Sequence, residues 1–297
     1  MSVAFLVLPD FLIIAIGWIL RNKGGFSREF FVGLEKLVYY LLFPALLFMS
    51  ILRTPISAAD AIDTLIATGA VCLVGIAGAW LAAVLFKPPS LVMASCAQCG
   101  FRFNTYIGLA LAPSVAGTAG QSSMALIIGF AVPIVNLAAV YALAKHHGSN
   151  VWGALVRNPL LMSTLLGLMG NLAGLQMPTS IEILLTRLGS ASVPLGILCV
   201  GASLSWQPTQ GSLPVLSWLI AVKLLLMPAV AWLIAMLMGL DAVKTQMLVL
   251  FASLPTASAA YVLAIRMGGD GRLVGITITI ATVLSAITIP MWLILVT

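Results

Sequence analysis

Ser95-Cys96-Ala97-Gln98-Cys99-Gly100-Phe101-Arg102-Phe103-Asn104-Thr105-Tyr106-Ile107-Gly108 lies inside a long apolar run, yet it is too polar for an uninterrupted membrane helix. Ala252-Ser253-Leu254-Pro255-Thr256-Ala257-Ser258-Ala259-Ala260-Tyr261 lies in another such run and carries a proline near its centre. Proline removes a backbone donor and clashes with the preceding turn, so this stretch reads as a helix break. Asn104 and Pro255 are 151 residues apart in a chain of 297. Two polar breaks about half a chain apart point to a duplicated membrane fold.

Composition supports the membrane reading. Hydrophobic residues make up 62% and charged residues 7%, and the mean hydropathy is +1.16. A soluble domain has about 45–50% apolar and about 25% charged residues. So few charges cannot cover a water-soluble globule, which sets aside soluble enzymes, nucleic-acid binders and disordered chains. The net charge of +6 reads as basic loops on one face of a bilayer.

A spanning helix needs about 20 mostly apolar residues. Ten spans fit, at 3–20, 31–52, 61–86, 91–112, 122–144, 159–175, 180–204, 212–240, 244–267 and 273–296. Sustained strict alternation is missing, so a membrane barrel is a poor description. The apolar start is followed by Arg21 and Lys23 without a small-residue cleavage site, and reads as a retained first span. Loops after odd spans hold Arg21, Lys23, Arg28, Lys87, Lys145, Arg157, Arg266 and Arg272. The opposite face holds Arg53 and Lys244, with Arg187 near its edge. Basic loops stay cytoplasmic, so both termini are expected outside. His146-His147 falls in the longest cytoplasmic loop and reads as solvated chain.

The halves correspond. Pro44 and Pro194 sit mid-span 150 residues apart, and Pro133 and Pro290 are 157 apart. Five spans per half is an odd number, so the halves must run in opposite orientations, an inverted repeat of the transporter kind. The expected organisation is a first repeat at 1–145, a cytoplasmic linker at 146–158 and a second repeat at 159–297.

In such folds substrate binds where broken helices meet near the midplane. A break at Asn104 starts a half-helix there, and Asn is a favoured N-cap. A break at Pro255 starts another, with Thr256 or Ser258 as its cap. Each new N-terminus exposes unpaired N–H groups and a partial positive charge. Two facing ends then form an anion site without a metal. The competing reading is a pair of packing kinks, since Pro and Gly are frequent in membrane helices.

Charged residues inside spans are costly and often functional. Lys223 lies mid-span 8 and Arg102 beside the span 4 break, and both suit an anion. Snorkelling for Lys223 and carbonyl bonding for Arg102 are the structural alternatives. The candidate substrate residues are therefore Arg102, Asn104, Thr105, Lys223, Pro255, Thr256 and Ser258. Asp10 and Gln98 are candidates for proton or ion coupling. Asp10 either interrupts span 1 together with Pro9 or caps a late-starting span. Neither break contains an acid, which disfavours a cationic substrate held by carboxylates.

The cysteines Cys72, Cys96, Cys99 and Cys199 stand in apolar surroundings. Cys96-Ala-Gln-Cys99 lacks both the redox context and a second CxxC for zinc, and reads as helix packing. Catalytic signatures such as GxSxG, HExxH and the Walker loop are missing. No enzyme activity, cofactor or metal is expected.

The chain resembles the auxin efflux carrier family, which includes bacterial members and the plant PIN proteins, within the bile acid/arsenite/riboflavin transporter superfamily. The resemblance rests on Leu8-Pro9 through Gly17-Trp18-Ile19-Leu20-Arg21, and on Leu37-Val38-Tyr39-Tyr40 through Phe43-Pro44-Ala45-Leu46-Leu47-Phe48. It continues in Phe103-Asn104-Thr105-Tyr106-Ile107-Gly108, Leu254-Pro255-Thr256-Ala257 through Tyr261-Val262-Leu263-Ala264, and Thr288-Ile289-Pro290. It implies an all-α polytopic membrane protein of ten helices in two inverted five-helix repeats, with broken helices 4 and 9 crossing. Helices 1, 2, 6 and 7 would form a scaffold, and helices 3–5 and 8–10 a mobile core. The family's helix 4 asparagine maps to Asn104 and its helix 9 proline to Pro255. Its Gly-x-Pro reads Gly108-Leu109-Ala110 here, and the plant members' long cytoplasmic loop is missing. The implied function is a secondary transporter for a small organic anion, such as a carboxylate, working by elevator movement in the bacterial inner membrane. The alternative is a channel or ligand-sensing receptor on the same scaffold. Implied partners are the bilayer, the anion, a coupling proton or sodium ion, and a second copy of the chain, with no nucleic acid.

Overall fold

The computed structural model describes residues 3–53, 58–144, 159–204, 213–257, 259–266 and 268–296, and these are helical with no strands among them. In chain order the helices are α1 (Val3–Asn22), α2 (Arg28–Leu52), α3 (Ala58–Phe86) and α4 (Ser90–Cys96), which runs into a 3₁₀ turn at Ala97–Gly100. Then come α5 (Thr105–Ala144), α6 (Pro159–Leu172), α7 (Thr179–Ser203) and α8 (Leu213–Met238). The last are α9 (Ala242–Ser253), α10 (Ala259–Arg266) and α11 (Gly271–Val296). Among the described residues six helical stretches are long and apolar enough to cross a membrane, with Phe11–Asn22 and Ala242–Ser253 shorter and apolar. The chain is a multi-pass membrane protein. The linker at 146–158, with His146 and His147, lies outside the described residues.

Helix ends follow local chemistry. Ser27 Oγ accepts from Phe30 N at 3.2 Å to start α2. Asp241 Oδ1 accepts from Lys244 N at 2.9 Å to start α9, satisfying one orphan donor of the first turn. An uninterrupted α5 of 40 residues would be ~60 Å long at ~1.5 Å per residue, about twice the hydrocarbon core. It is broken at Ala116 and Gly117, where Gly117 takes φ +60°, a conformation glycine adopts without strain. Helix therefore extends past the expected end of span 4 and resumes before the expected start of span 5. In the other direction, α1 runs unbroken through Pro9 and Asp10, so Asp10 neither interrupts nor caps it. The Asp10 side chain lies outside the described residues.

Two prolines are absorbed by widened turns. In α2 the turn Val38–Leu42 is a π turn, with Phe43 N bonded to Val38 O, just ahead of Pro44. In α8 the turn Val222–Leu226 is its counterpart, with Met227 N bonded to Val222 O ahead of Pro228. Proline clashes with the carbonyl four residues back, and an extra residue in the turn relieves the clash.

Packing divides the helices into two groups. α1 lies on α7, and α2 lies on α6 and α7. Small residues permit the close approach that membrane helices need in place of a hydrophobic drive. A Cβ on Gly17 would land on the Leu198 backbone, and one on Gly201 on the carbonyl of Ile14. The second group gathers α3, α5, α8, α9 and α11, with Lys223, Thr256 and Thr277 among its buried polar residues.

Candidate functional site: the junction of two interrupted helices

Between α4 and α5 the chain is non-helical at 102–104, and between α9 and α10 it is non-helical at 254–257. The two interruptions touch. Asn104 N donates to Pro255 O at 2.8 Å, and Thr256 Oγ1 donates to Cys99 O at 2.7 Å. Each interruption thus satisfies backbone groups that the other's missing helical turn leaves over, as a low-dielectric interior requires.

Asn104 is 2% exposed. Its Oδ1 accepts from Tyr106 N at 3.0 Å and Ile107 N at 3.3 Å, so it caps α5. Its Nδ2 is buried and has no hydrogen-bond partner among the described residues. An orphaned amide donor of this kind is costly unless a ligand or water completes it. Thr105, the first residue of α5, is half-buried beside it.

Arg102 is half-buried. Its guanidinium donates to Gln98 Oε1 at 3.0 Å and to Asn136 Oδ1 at 2.8 Å. Both acceptors are neutral, and among the described residues no carboxylate pairs with it. The positive charge is positioned but not neutralised. Gln98 in turn donates from Nε2 to Ser95 O at 3.0 Å. Its amide is therefore committed at both ends.

Lys223 is fully buried in the π turn of α8. Its Nζ donates to Ala252 O at 2.8 Å, lies 3.6 Å from Met227 Sδ and sits 5.9 Å from the Phe251 ring centroid. Ala252 stands three residues before Pro255, in the last turn of α9. A cation there complements the negative end of that helix.

The structure thus brings Arg102, Asn104, Thr105, Pro255 and Thr256 to one junction, with Gln98 as support. Lys223 meets the junction through the end of α9. Ser258 lies outside the described residues. The Thr256 hydroxyl spends its proton on Cys99 O rather than on the start of α10. Asn136 was missed by sequence reasoning. Its signal is a lone asparagine inside an otherwise apolar span, where an amide rarely persists without a polar partner.

Two cavities lie at opposite ends of α2 and α7. The larger, about 850 Å³, is lined by Ser50, Arg53, Thr186, Ser122 and Lys244 among others. Arg53 is paired there with Glu182 at 2.5 Å. The smaller, about 270 Å³, is lined by Arg21, Arg28, Glu35, Ser203 and Tyr261 among others. Asn104, Pro255 and Thr256 line neither.

A family described as "Membrane transport protein" matches this chain over residues 2–150 and again over 141–293. A Rhizobium meliloti protein named "Putative malonate transporter" is 25% identical over 296 residues, covering 96% of this chain and 92% of that one. An "Uncharacterized transporter" of Methanothermobacter thermautotrophicus is 27% identical over 302 residues, covering 96% of each. The Escherichia coli K12 "Uncharacterized transporter YfdV" is 24% identical over 303 residues, covering 97% and 95%.

Proposed function

The chain belongs to the membrane transport protein family, that of the auxin efflux carriers, and from that premise we propose that it is a secondary transporter moving a small organic anion. Its family and relatives are transporters and not enzymes. The proposed substrate is a short carboxylate of the malonate kind, in line with the name of one relative.

The observation that carries the reading is the orphaned Nδ2 of Asn104. It is a donor with nothing to accept, so the ligand that completes it must present an acceptor. Arg102, two residues earlier in the chain and held by two neutral amides, adds a positive charge to the junction. A donor and an uncompensated cation suit an anion and oppose a metal ion or ammonium, which would need oxygen acceptors. Thr105 would contribute a hydroxyl at the same helix start.

The transport mechanism we infer is an elevator on ten spans in two inverted repeats. α1, α2, α6 and α7 are the scaffold, and α3–α5 with α8–α11 are the moving core. The division follows the two packing groups. The cavities at opposite ends of α2 and α7 would serve alternate openings. Lys and Arg placement supports a reading with both termini outside the inner membrane.

The test is calorimetric titration of malonate into the purified protein. Wild type should bind. Asn104→Asp keeps an oxygen to cap Tyr106 N and Ile107 N but replaces the donor with a charge, and should fold yet lose binding. Undiminished malonate affinity in Asn104→Asp would remove the anion from this junction.

A further inference from the structure

The smaller cavity, which the transport reading uses only as an opening, holds side chains that this reading leaves without a role. Arg21 comes from the last turn of α1 and Arg28 from the first residue of α2, so a short hairpin brings two guanidinium groups to one hollow of about 270 Å³. Glu35 is the one carboxylate among its lining residues, so the lining itself is net positive, and the exposed Glu29, outside the lining, is near enough for its charge to act on both arginines. Neither arginine forms an ion pair among the described residues. Arg28 Nη2 reaches the Tyr261 hydroxyl at 3.4 Å, and its Cζ is 5.9 Å from the ring centroid. That distance is beyond the usual range for a strong N–H···O bond. Asn22 and Ser203 add polar groups to the same wall.

We propose that this cavity is an oxyanion site separate from the junction. It takes one phosphate or carboxylate group between Arg21 and Arg28, with Tyr261 Oη as a third donor. Arginine forks match the paired oxygens of such groups, and charge-assisted bonds of this kind are the strong ones. A neighbouring tyrosine hydroxyl can turn its proton toward the anion, because the present contact with Arg28 uses only its oxygen. The bound group would connect α1 and α2 to α10. On the elevator reading, on which this consequence alone rests, it would hold core to scaffold and slow transport.

The oxyanion is either free phosphate or the headgroup of an anionic lipid. Inorganic phosphate is the probe, read by the melting temperature of the purified full chain. In detergent, phosphate should raise the melting temperature of wild type. Arg21→Gln and Arg28→Gln should each weaken its apparent Kd at least tenfold, Arg28→Lys by less, and Tyr261→Phe by about two- to fivefold. Asn104→Asp should leave it unchanged. In nanodiscs, loss of the response in phosphatidylglycerol but not in phosphatidylcholine identifies the lipid headgroup as occupant. A response retained in both identifies free phosphate. The proposal is overturned if the detergent response survives the Arg21→Gln/Arg28→Gln double variant, or disappears with Asn104→Asp. It is also overturned if phosphate has no effect in detergent and the two nanodisc lipids give equal stability. Failure of malonate to bind would leave each of these outcomes readable, since the phosphate response does not use the junction.

Discussion

The indole Nε1 of Trp292 on α11 donates to the backbone carbonyl of Leu224 on α8 at 2.9 Å. In a regular α-helix that carbonyl would pair with the amide of residue 228, where proline has no N–H to give. A tryptophan from another helix supplies what the proline withholds. The same widened turn carries Lys223, so the contact steadies the segment that holds the end of α9.

This pairing gives the first prediction. Trp292→Phe should destabilise the protein by about 1 kcal/mol from the lost bond, with packing loss added. In a Pro228→Ala background, alanine's amide lies one turn from the stranded carbonyl and can satisfy it. The cost of Trp292→Phe should therefore shrink there. The double-mutant cycle is read by unfolding in detergent, and a coupling of zero would mean that the Trp292 bond does not serve the proline site.

A second prediction concerns α1 against α7. A Cβ on Gly201 would lie 1.9 Å from the Ile14 carbonyl oxygen and 2.9 Å from Trp18 N. Both are backbone atoms, and no rotamer change can move them aside. Gly201→Ala should separate the helices and lower stability by about 3 kcal/mol, at the upper end of overpacking costs. Gly33 in α2 meets nothing within 4 Å, so Gly33→Ala is the control and should be near neutral. Equal melting temperatures for the two variants would refute the close crossing.

Lys223 supports a third. Its ammonium is fully buried and bonded to Ala252 O, three residues before the junction proline. If the charge acts on the anion through the end of α9, Lys223→Met should raise the malonate Kd about tenfold and Lys223→Arg less. An unchanged Kd alongside a lowered melting temperature would assign Lys223 to holding α9 alone. The two readouts separate attraction of substrate from support of the helix.

What the sequence discloses of this arrangement has a physical pattern. Pro255 and Asn104 are legible because proline cannot continue a helix and asparagine favours its start, properties that each residue carries by itself. The apolar runs are legible because the bilayer imposes their length. Asn136 beside Arg102, Ala252 O beneath Lys223 and Trp292 across from Leu224 are not legible. Each pairs groups 29 to 68 residues apart whose meeting depends on how helices pack. The unbroken course of α1 through Pro9 and Asp10 shows the same limit. Proline is frequent in membrane helices, where a helix can run on through it, so Pro9 alone does not mark a break.

The last prediction concerns movement of the core. Tyr106, two residues past the Asn104 cap, lies on Phe43 of α2 with ring centroids 4.7 Å apart and planes inclined by 32°. Gly196 of α7 leaves room for this ring, since a Cβ there would meet Tyr106 Cδ1 at 3.0 Å and Phe43 Cζ at 3.4 Å. In an elevator, Tyr106 travels with the core while Phe43 and Gly196 stay with the scaffold. The ring must then leave one seat on that wall and take another, and a methyl group at 196 narrows the track without touching the junction. Gly196→Ala should therefore slow malonate uptake in proteoliposomes at least fivefold while changing its Kd by less than twofold. Phe43→Leu removes the ring opposite and should restore part of the rate to Gly196→Ala, because space returns on the facing side. A variant that loses affinity and rate in equal proportion would place Gly196 at the binding site. A rate equal to wild type would mean that Tyr106 does not slide along this wall.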